Sequence, residues 1–67
     1  MEREVHILTD REVELSARIL IAEYGEEASE RAKERVTETR AAANHASAWA
    51  WGRILAATME QQARKAA

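Results

Sequence analysis

The side chains best suited to metal chemistry in this 67-residue chain are its two histidines, His6 and His45. His6 and Asp10 are four residues apart, which on one helix would place both side chains on the same face. A helix-start signal at Thr9 puts His6 outside the helix, and neither histidine lies in a His-Glu-x-x-His or Glu-x-x-His pattern. A nucleophile elbow requires glycines around its serine, and no glycine flanks a serine in this chain. We therefore expect no metal site, no cofactor site and no catalytic residues.

Trp49 and Trp51 are the other side chains with a distinctive chemistry. At helical spacing their rings point about 160° apart. Trp51 falls on an apolar stripe with Leu55 and is expected in the core. Trp49 falls beside Arg53, where stacking on the guanidinium would contribute about 0.5–1 kcal/mol. Trp and Arg are also enriched at binding hot spots, so an interface anchor is the equally weighted alternative.

The first predicted helix has clear start and stop signals. Thr9 and Glu12 form the Thr-x-x-Glu capping box, in which each side chain satisfies a free backbone N–H of the other residue. Gly25 lies where helices commonly end in a residue with left-handed backbone angles. Together these signals predict a helix over about 10–24.

This helix carries more large apolar residues than one buried face requires. Its apolar arc spans roughly 240°, whereas a surface helix needs little more than about 100°. The side expected to be covered from within the chain consists of Val13, Ala17, Leu20 and Tyr24. The other side carries Leu15, Ile19 and Ala22, and we expect it to contact a second chain. Trp49 and Arg53 are candidate contributors to the same interface.

Two further helices are predicted, over about 26–42 and 46–64. The inner face of the second consists of Ala28, Ala32, Val36, Thr39 and Ala43. The stripe on the third consists of Ala48, Trp51, Leu55, Thr58, Met59 and Gln62, with Ile54 beside it. Asn44 is the expected break, either as a left-handed residue after the second helix or as the N-cap of the third. A single long helix from Glu26 onward is the alternative, since Ala-rich sequence favours helix.

Composition supports an all-helical chain and argues against several classes of partner. The sequence contains 15 Ala, two Gly and no Pro, Phe or Cys, which favours helix over sheet and excludes disulfides. The formal net charge is −2, from interleaved acidic and basic residues, so there is no electrostatic case for nucleic acid or anionic lipid. No stretch approaches the ~18 apolar residues of a membrane span. We expect a soluble cytoplasmic protein that does not bind membranes.

The chain is expected to form one small helical domain over 9–65, after an extended N-terminal arm over 1–8. Val5 and Ile7 alternate with polar residues in the arm, which is a strand pattern without a partner strand. Chains of this size need extra stabilisation from disulfides, a metal, oligomerisation or unusually good helix packing. Because cysteine is absent, oligomerisation is the source that the first helix indicates.

Three segments of the sequence resemble a family of short bacterial helical proteins of unknown function. They are Leu-Thr-Asp-Arg-Glu-Val-Glu (8–14), Ala-Arg-Ile-Leu-Ile-Ala-Glu-Tyr-Gly-Glu-Glu-Ala (17–28) and Trp-Gly-Arg-Ile-Leu-Ala-Ala (51–57). The resemblance covers residues 8–62 and implies a shared small helical fold without a known activity. The family has a Gly-Asp turn where this chain has Ala43-Asn44.

The sequence thus predicts an all-α fold, a small three-helix up-down-up bundle that associates with itself. A helical hairpin with one long second helix is the alternative. The predicted function is a non-catalytic protein–protein interaction or regulatory module acting as a homodimer. A small subunit or adaptor docking on a larger protein is a second hypothesis. A DNA-binding regulator is the third, although basic residues of helix 2 alternate with glutamates and two tryptophans occupy the base-reading end of helix 3.

Overall fold

The computed structural model describes the backbone of residues 8–66 and the side chains of residues 8–65. Helix α1 spans Asp10–Tyr24, a single 3₁₀ turn spans Gly25–Glu27, helix α2 spans Ala28–Ala41 and helix α3 spans His45–Ala66. The described residues contain no strand, and the predicted all-α class is confirmed. The predicted arm over 1–8 lies outside the described residues apart from Leu8.

Helix α1 begins at the predicted capping box. The Glu12 backbone N–H donates to Thr9 Oγ1 at 3.1 Å, and the Thr9 backbone N–H donates to Glu12 Oε1 at 2.9 Å. Two donors that the helix itself leaves unpaired are therefore satisfied. Asp10 and Glu12 also place negative charge in the first turn, where it interacts favourably with the helix dipole.

Helix α1 ends at Gly25, which has the expected positive φ. Its backbone angles are φ 59° and ψ −127°, so ψ lies outside the left-handed helical region that the sequence suggests. These angles match the first central position of a type II′ turn, about +60° and −120°, which strongly favours glycine. The chain therefore turns directly into the 3₁₀ segment and α2 without a longer loop.

The junction between α2 and α3 is a Schellman motif that ends on an N-cap. The Asn44 N–H donates to the Thr39 carbonyl at 2.8 Å, and the Ala43 N–H donates to the Arg40 carbonyl at 2.9 Å. Ala43 takes the positive φ of the motif, 58°, a position usually occupied by glycine. Asn44 Oδ1 then accepts from the Ser47 N–H at 3.2 Å, as an N-cap does. The alternative of one continuous helix from Glu26 onward does not match this junction.

Helix α3 packs against both α1 and α2, whereas α1 and α2 contact each other less. Arg53 of α3 hydrogen-bonds at the start of α1, and Gln61, two turns later, donates to the Glu14 carbonyl at 3.3 Å. The two helices therefore run in the same direction. Ser29, at the start of α2, donates to Gln62 near the end of α3. Helix α2 therefore runs antiparallel to α3.

The core is built mainly from small side chains. Its buried residues are Val13, Ala17, Ala28, Ala32, Ile54 and Thr58. The three alanines and Thr58 have no exposed surface, so the helices approach one another closely at these positions. Thr58 Oγ1 donates to the Ile54 carbonyl at 2.7 Å, which satisfies its buried hydroxyl. Within the described residues, no buried side-chain polar atom lacks a hydrogen-bond partner.

Three residues predicted to face inward are exposed. Ala43 lies beyond the last residue of α2, in the turn before α3, and is exposed. Met59 is 50% exposed because the buried face of α3 is centred on Ile54 and Thr58, rotated away from the predicted stripe. The rotation follows from α1, which packs beside Arg53 and Gln61 and draws that side of α3 inward. Tyr24 is 40% exposed at the last residue of α1.

Candidate interaction surfaces

Leu15, Ile19 and Ala22 form an apolar row on α1, here called the α1 surface. Leu15 is 45% exposed, Ile19 is 59% exposed, and Ala22 is exposed as well. Their spacings of four and three residues align them on the side opposite the buried Val13 and Ala17. Among the residues that the structure describes, nothing covers this row, as the sequence predicts for Leu15 and Ile19.

Trp49 and Arg53 do not join the α1 surface, although the sequence groups them with it. Both lie on α3, where the Arg53 guanidinium carbon sits 5.1 Å from the centre of the Trp49 ring. The predicted stacking is therefore confirmed, and Trp49 is nevertheless 58% exposed. The residues that the sequence groups into one interface therefore lie on two different helices.

Arg53 also fastens the start of α1 to α3. Its Nη1 donates to the Leu8 carbonyl at 2.8 Å, and its Nη2 pairs with the Asp10 carboxylate. The arginine side chain is 28% exposed and the aspartate side chain 96% exposed, so solvent screens the ion pair strongly. The hydrogen bond to a main-chain carbonyl and the stack on Trp49 are the more consequential contacts. The guanidinium that contacts the Trp49 ring is therefore also bonded to the start of α1.

Arg53→Met is expected to lower the free energy of unfolding by about 1–2 kcal/mol, from the lost hydrogen bond, stack and screened ion pair. Urea unfolding followed by circular dichroism measures this change. Arg64→Met is the matched control, because Arg64 pairs with Glu60 at 3.9 Å with both side chains about 70% exposed. The control should change stability by less than about 0.5 kcal/mol. Equal effects of the two variants would show that Arg53 has no special role in joining the helices.

A second apolar row, which the sequence analysis missed, runs along the outer side of α3. Trp49, Gly52, Ala56 and Met59 compose it, and we call it the α3 surface. Trp49 and Met59 are 58% and 50% exposed, and no atom of the described residues lies within 4 Å of the place where a Cβ on Gly52 would be. The 3-4-3 spacing is that of a coiled-coil seam. That spacing is visible in the sequence, but Met59 was assigned there to the core.

Three of the four basic residues of α2 are paired with glutamates of the same helix. Arg31 lies 3.3 Å from Glu34, Arg35 lies 3.4 Å from Glu38, and Lys33 lies 3.8 Å from Glu30. The two arginines also lie over aromatic rings, Arg31 at 4.9 Å from the ring centre of Tyr24 and Arg35 at 5.2 Å from that of Trp51. Helix α2 therefore presents a charge-balanced outer face.

Of the two histidines first considered for metal chemistry, only His45 lies among the described residues. His45 is exposed at the first residue of α3, and His6 lies outside the described residues. Over residues 8–66, no three His, Cys, Asp or Glu side chains come together in a way that would hold a metal ion. None of the helices in the same range has the length and apolar character needed to cross a membrane.

Comparison with known proteins adds no relative to this picture. No family model matches the sequence, and neither a curated protein nor a solved structure gives a match.

Proposed function

We propose that this protein is a non-catalytic interaction module that acts as a homo-oligomer, with the α1 surface as a self-association site. One observation carries the proposal. Within the described residues, only two buried apolar side chains are larger than alanine, Val13 and Ile54. Five large apolar side chains are exposed, and they are Leu15, Ile19, Tyr24, Trp49 and Met59. A chain that leaves five large apolar side chains exposed gains stability by covering them.

The proposed protomer is the three-helix up-down-up bundle. The parallel course of α1 and α3 and the antiparallel course of α2 and α3 support this arrangement. We also propose kinship with the short bacterial helical proteins that the sequence resembles. Their glycine falls at the position of Ala43, where the backbone φ is 58°, and this supports the alignment.

The charges beside the α1 surface favour a parallel pair of α1 helices. If Leu15 and Ile19, one turn apart, form the seam of a coiled coil, Arg18 occupies one flank and Glu23 the other. In a parallel pair, each Arg18 faces Glu23 of the second copy, because such flanking pairs lie five residues apart. Both side chains are exposed in the protomer. In an antiparallel pair the like-charged flanks would face each other.

Leu15→Glu combined with Ile19→Glu is expected to weaken self-association at the α1 surface at least about tenfold, since four carboxylates would meet across the contact. Sedimentation velocity over a concentration series measures the change. Thr37→Glu combined with Ala41→Glu is the matched control, with the same charge change and spacing at exposed positions of α2. The control should associate like the wild type, and both variants should keep the wild-type helix content.

Two outcomes would contradict the proposal. A wild-type chain that stays monomeric at millimolar concentration would show that the protein does not self-associate, and the α1 surface would then be the docking site of an adaptor on a larger protein. An unchanged association constant in the α1 variant would show that another part of the chain makes the contact.

A further inference from the structure

We propose that the α3 surface binds the α3 surface of a second copy in an antiparallel pair. This contact is additional to the proposed one at the α1 surface and does not depend on it. The two rows lie on different helices, and each faces away from the buried core. Either row is therefore free to form its contact when the other is blocked.

The order of side-chain sizes along the α3 surface is palindromic. A large residue, two small ones and a large one follow at spacings of three, four and three, in the order Trp49, Gly52, Ala56 and Met59. A two-fold axis perpendicular to the helix at the level of Ile54 places Trp49 in one layer with Met59 of the second copy. It also places Gly52 in one layer with Ala56 of the second copy. Each layer then occurs twice, as in any isologous contact.

The small central layers allow the two helix backbones to approach closely. The space beyond Gly52 is open, with no described atom within 4 Å of a Cβ built there, and Ala56 is exposed. Small residues spaced four apart permit such approach between helices. The large residues at the ends lie about 15 Å apart along the helix and close the contact on both sides. The Trp49 ring contacts the guanidinium of Arg53, which is itself bonded to the start of α1.

The charges around the α3 surface are compatible with a second copy of the same chain. All four residues of the row are uncharged, and the nearest flanking charges are paired within the protomer, Arg53 with Asp10 and Glu60 with Arg64. Burying the row therefore leaves no charged group buried without a partner. A standard interface covers about 800 Å² per partner, roughly one sixth of the 5028 Å² surface of this chain. A single four-layer row covers less than that, so we expect a dissociation constant in the micromolar range.

The orientation is tested by cysteine cross-linking, for which the absence of native cysteine is an advantage. Gly52→Cys and Ala56→Cys are introduced into separate chains that also carry Leu15→Glu and Ile19→Glu, so that the α1 contact is blocked. An equimolar mixture under mild oxidation should give mainly the mixed 52–56 disulfide, which mass spectrometry identifies. Each chain alone should cross-link poorly, because in the antiparallel pair equal positions lie beyond the ordinary Cα separation of a disulfide. Thr37→Cys, on the exposed face of α2, is the control.

The outcomes separate this proposal from the one on the α1 surface. Efficient cross-linking of each single chain with itself would indicate a parallel pair and overturn the antiparallel assignment. No cross-linking together with a monomeric α1 variant would overturn the α3 contact and leave the proposed function intact. A mixed disulfide, together with an association constant that Leu15→Glu and Ile19→Glu leave unchanged, would support the α3 contact and count against the α1 surface.

Close approach is tested by adding apolar volume. Ala56→Leu should raise the dissociation constant of the α3 contact about tenfold or more, because leucine would hold the backbones apart at the layer shared with Gly52. Ala46→Leu, an exposed position of α3 outside the row, makes the same change and should have no effect. Tighter association of Ala56→Leu would show that the row binds as a general apolar patch and would overturn the proposed geometry.

Discussion

Ile54→Ala is expected to remove about 2–5 kcal/mol from the free energy of unfolding. Ile54 is 5% exposed and is one of two buried apolar side chains larger than alanine among the described residues. The fully buried apolar side chains of the core, Ala17, Ala28 and Ala32, are too small to fill the space that it would leave. A chain of this size has a total stability of about 3–10 kcal/mol. We therefore expect the cooperative unfolding transition of the variant to be largely lost at 25 °C. Circular dichroism followed against urea concentration measures this change.

Ile19→Ala is the matched control, because it makes the same chemical change at a residue that is 59% exposed. At concentrations low enough for the chain to be monomeric, the control should stay within about 0.5 kcal/mol of the wild type. At higher concentration it should weaken self-association at the α1 surface. If the two variants were equally stable as monomers, the core assigned to Ile54 would be wrong.

Reciprocal substitutions at the two positive-φ residues are expected to change the free energy of unfolding in opposite directions. Gly25→Ala should cost about 1–3 kcal/mol, because an L-residue is strained at φ 59° and ψ −127°. Ala43→Gly should stabilise the fold by about 0.5–1 kcal/mol, since it relieves a left-handed alanine at φ 58° but makes the unfolded chain more flexible. Thermal and urea unfolding of both variants measure the two effects.

Backbone conformation is separated from side-chain contact by two controls. Nothing lies within 4 Å of a Cβ built on Gly25 or on Gly52, so an added methyl group meets no neighbour at either place. Gly52→Ala, in the middle of α3, should stabilise the monomer by up to about 1 kcal/mol. Replacing Gly25 with D-alanine by chemical synthesis should preserve stability, because a D-residue favours positive φ. A D-alanine variant as unstable as the L-alanine variant would show that the cost at position 25 is not set by the sign of φ.

Local signals in the sequence predict the helix ends better than they predict which side of each helix is buried. The Thr9 and Glu12 capping box depends only on residues three apart, and it forms as expected. The position of Met59 depends on where α1 lies against α3, which no spacing within α3 reveals. The sequence places the break at Asn44 but not the positive φ at Ala43, since alanine rarely occupies that position.

Of the two candidate surfaces, one could likewise be predicted from local sequence and the other depends on how the helices pack. Leu15 and Ile19 could be identified from the sequence because their helix has more apolar residues than one face can bury. The α3 surface could not, because three of its four residues are small or were assigned to the core. Only the rotation of α3 about its axis, set by two packed helices, shows that Gly52 and Met59 share an outer side with Trp49.

The three fully buried alanines restrict how this protein can change over generations. Single-nucleotide changes in an alanine codon lead to valine, threonine, serine, proline, aspartate, glutamate or glycine, and all of these except glycine are larger. At Ala17, Ala28 and Ala32, where no surface is exposed, a larger side chain forces the helices apart and glycine weakens the helix. Nearly every amino-acid change at these positions is therefore harmful, whereas substitutions at exposed alanines such as Ala46 and Ala63 are tolerated. Among natural variants of this chain, we expect alanine to persist at the first three positions and to be replaced often at the other two.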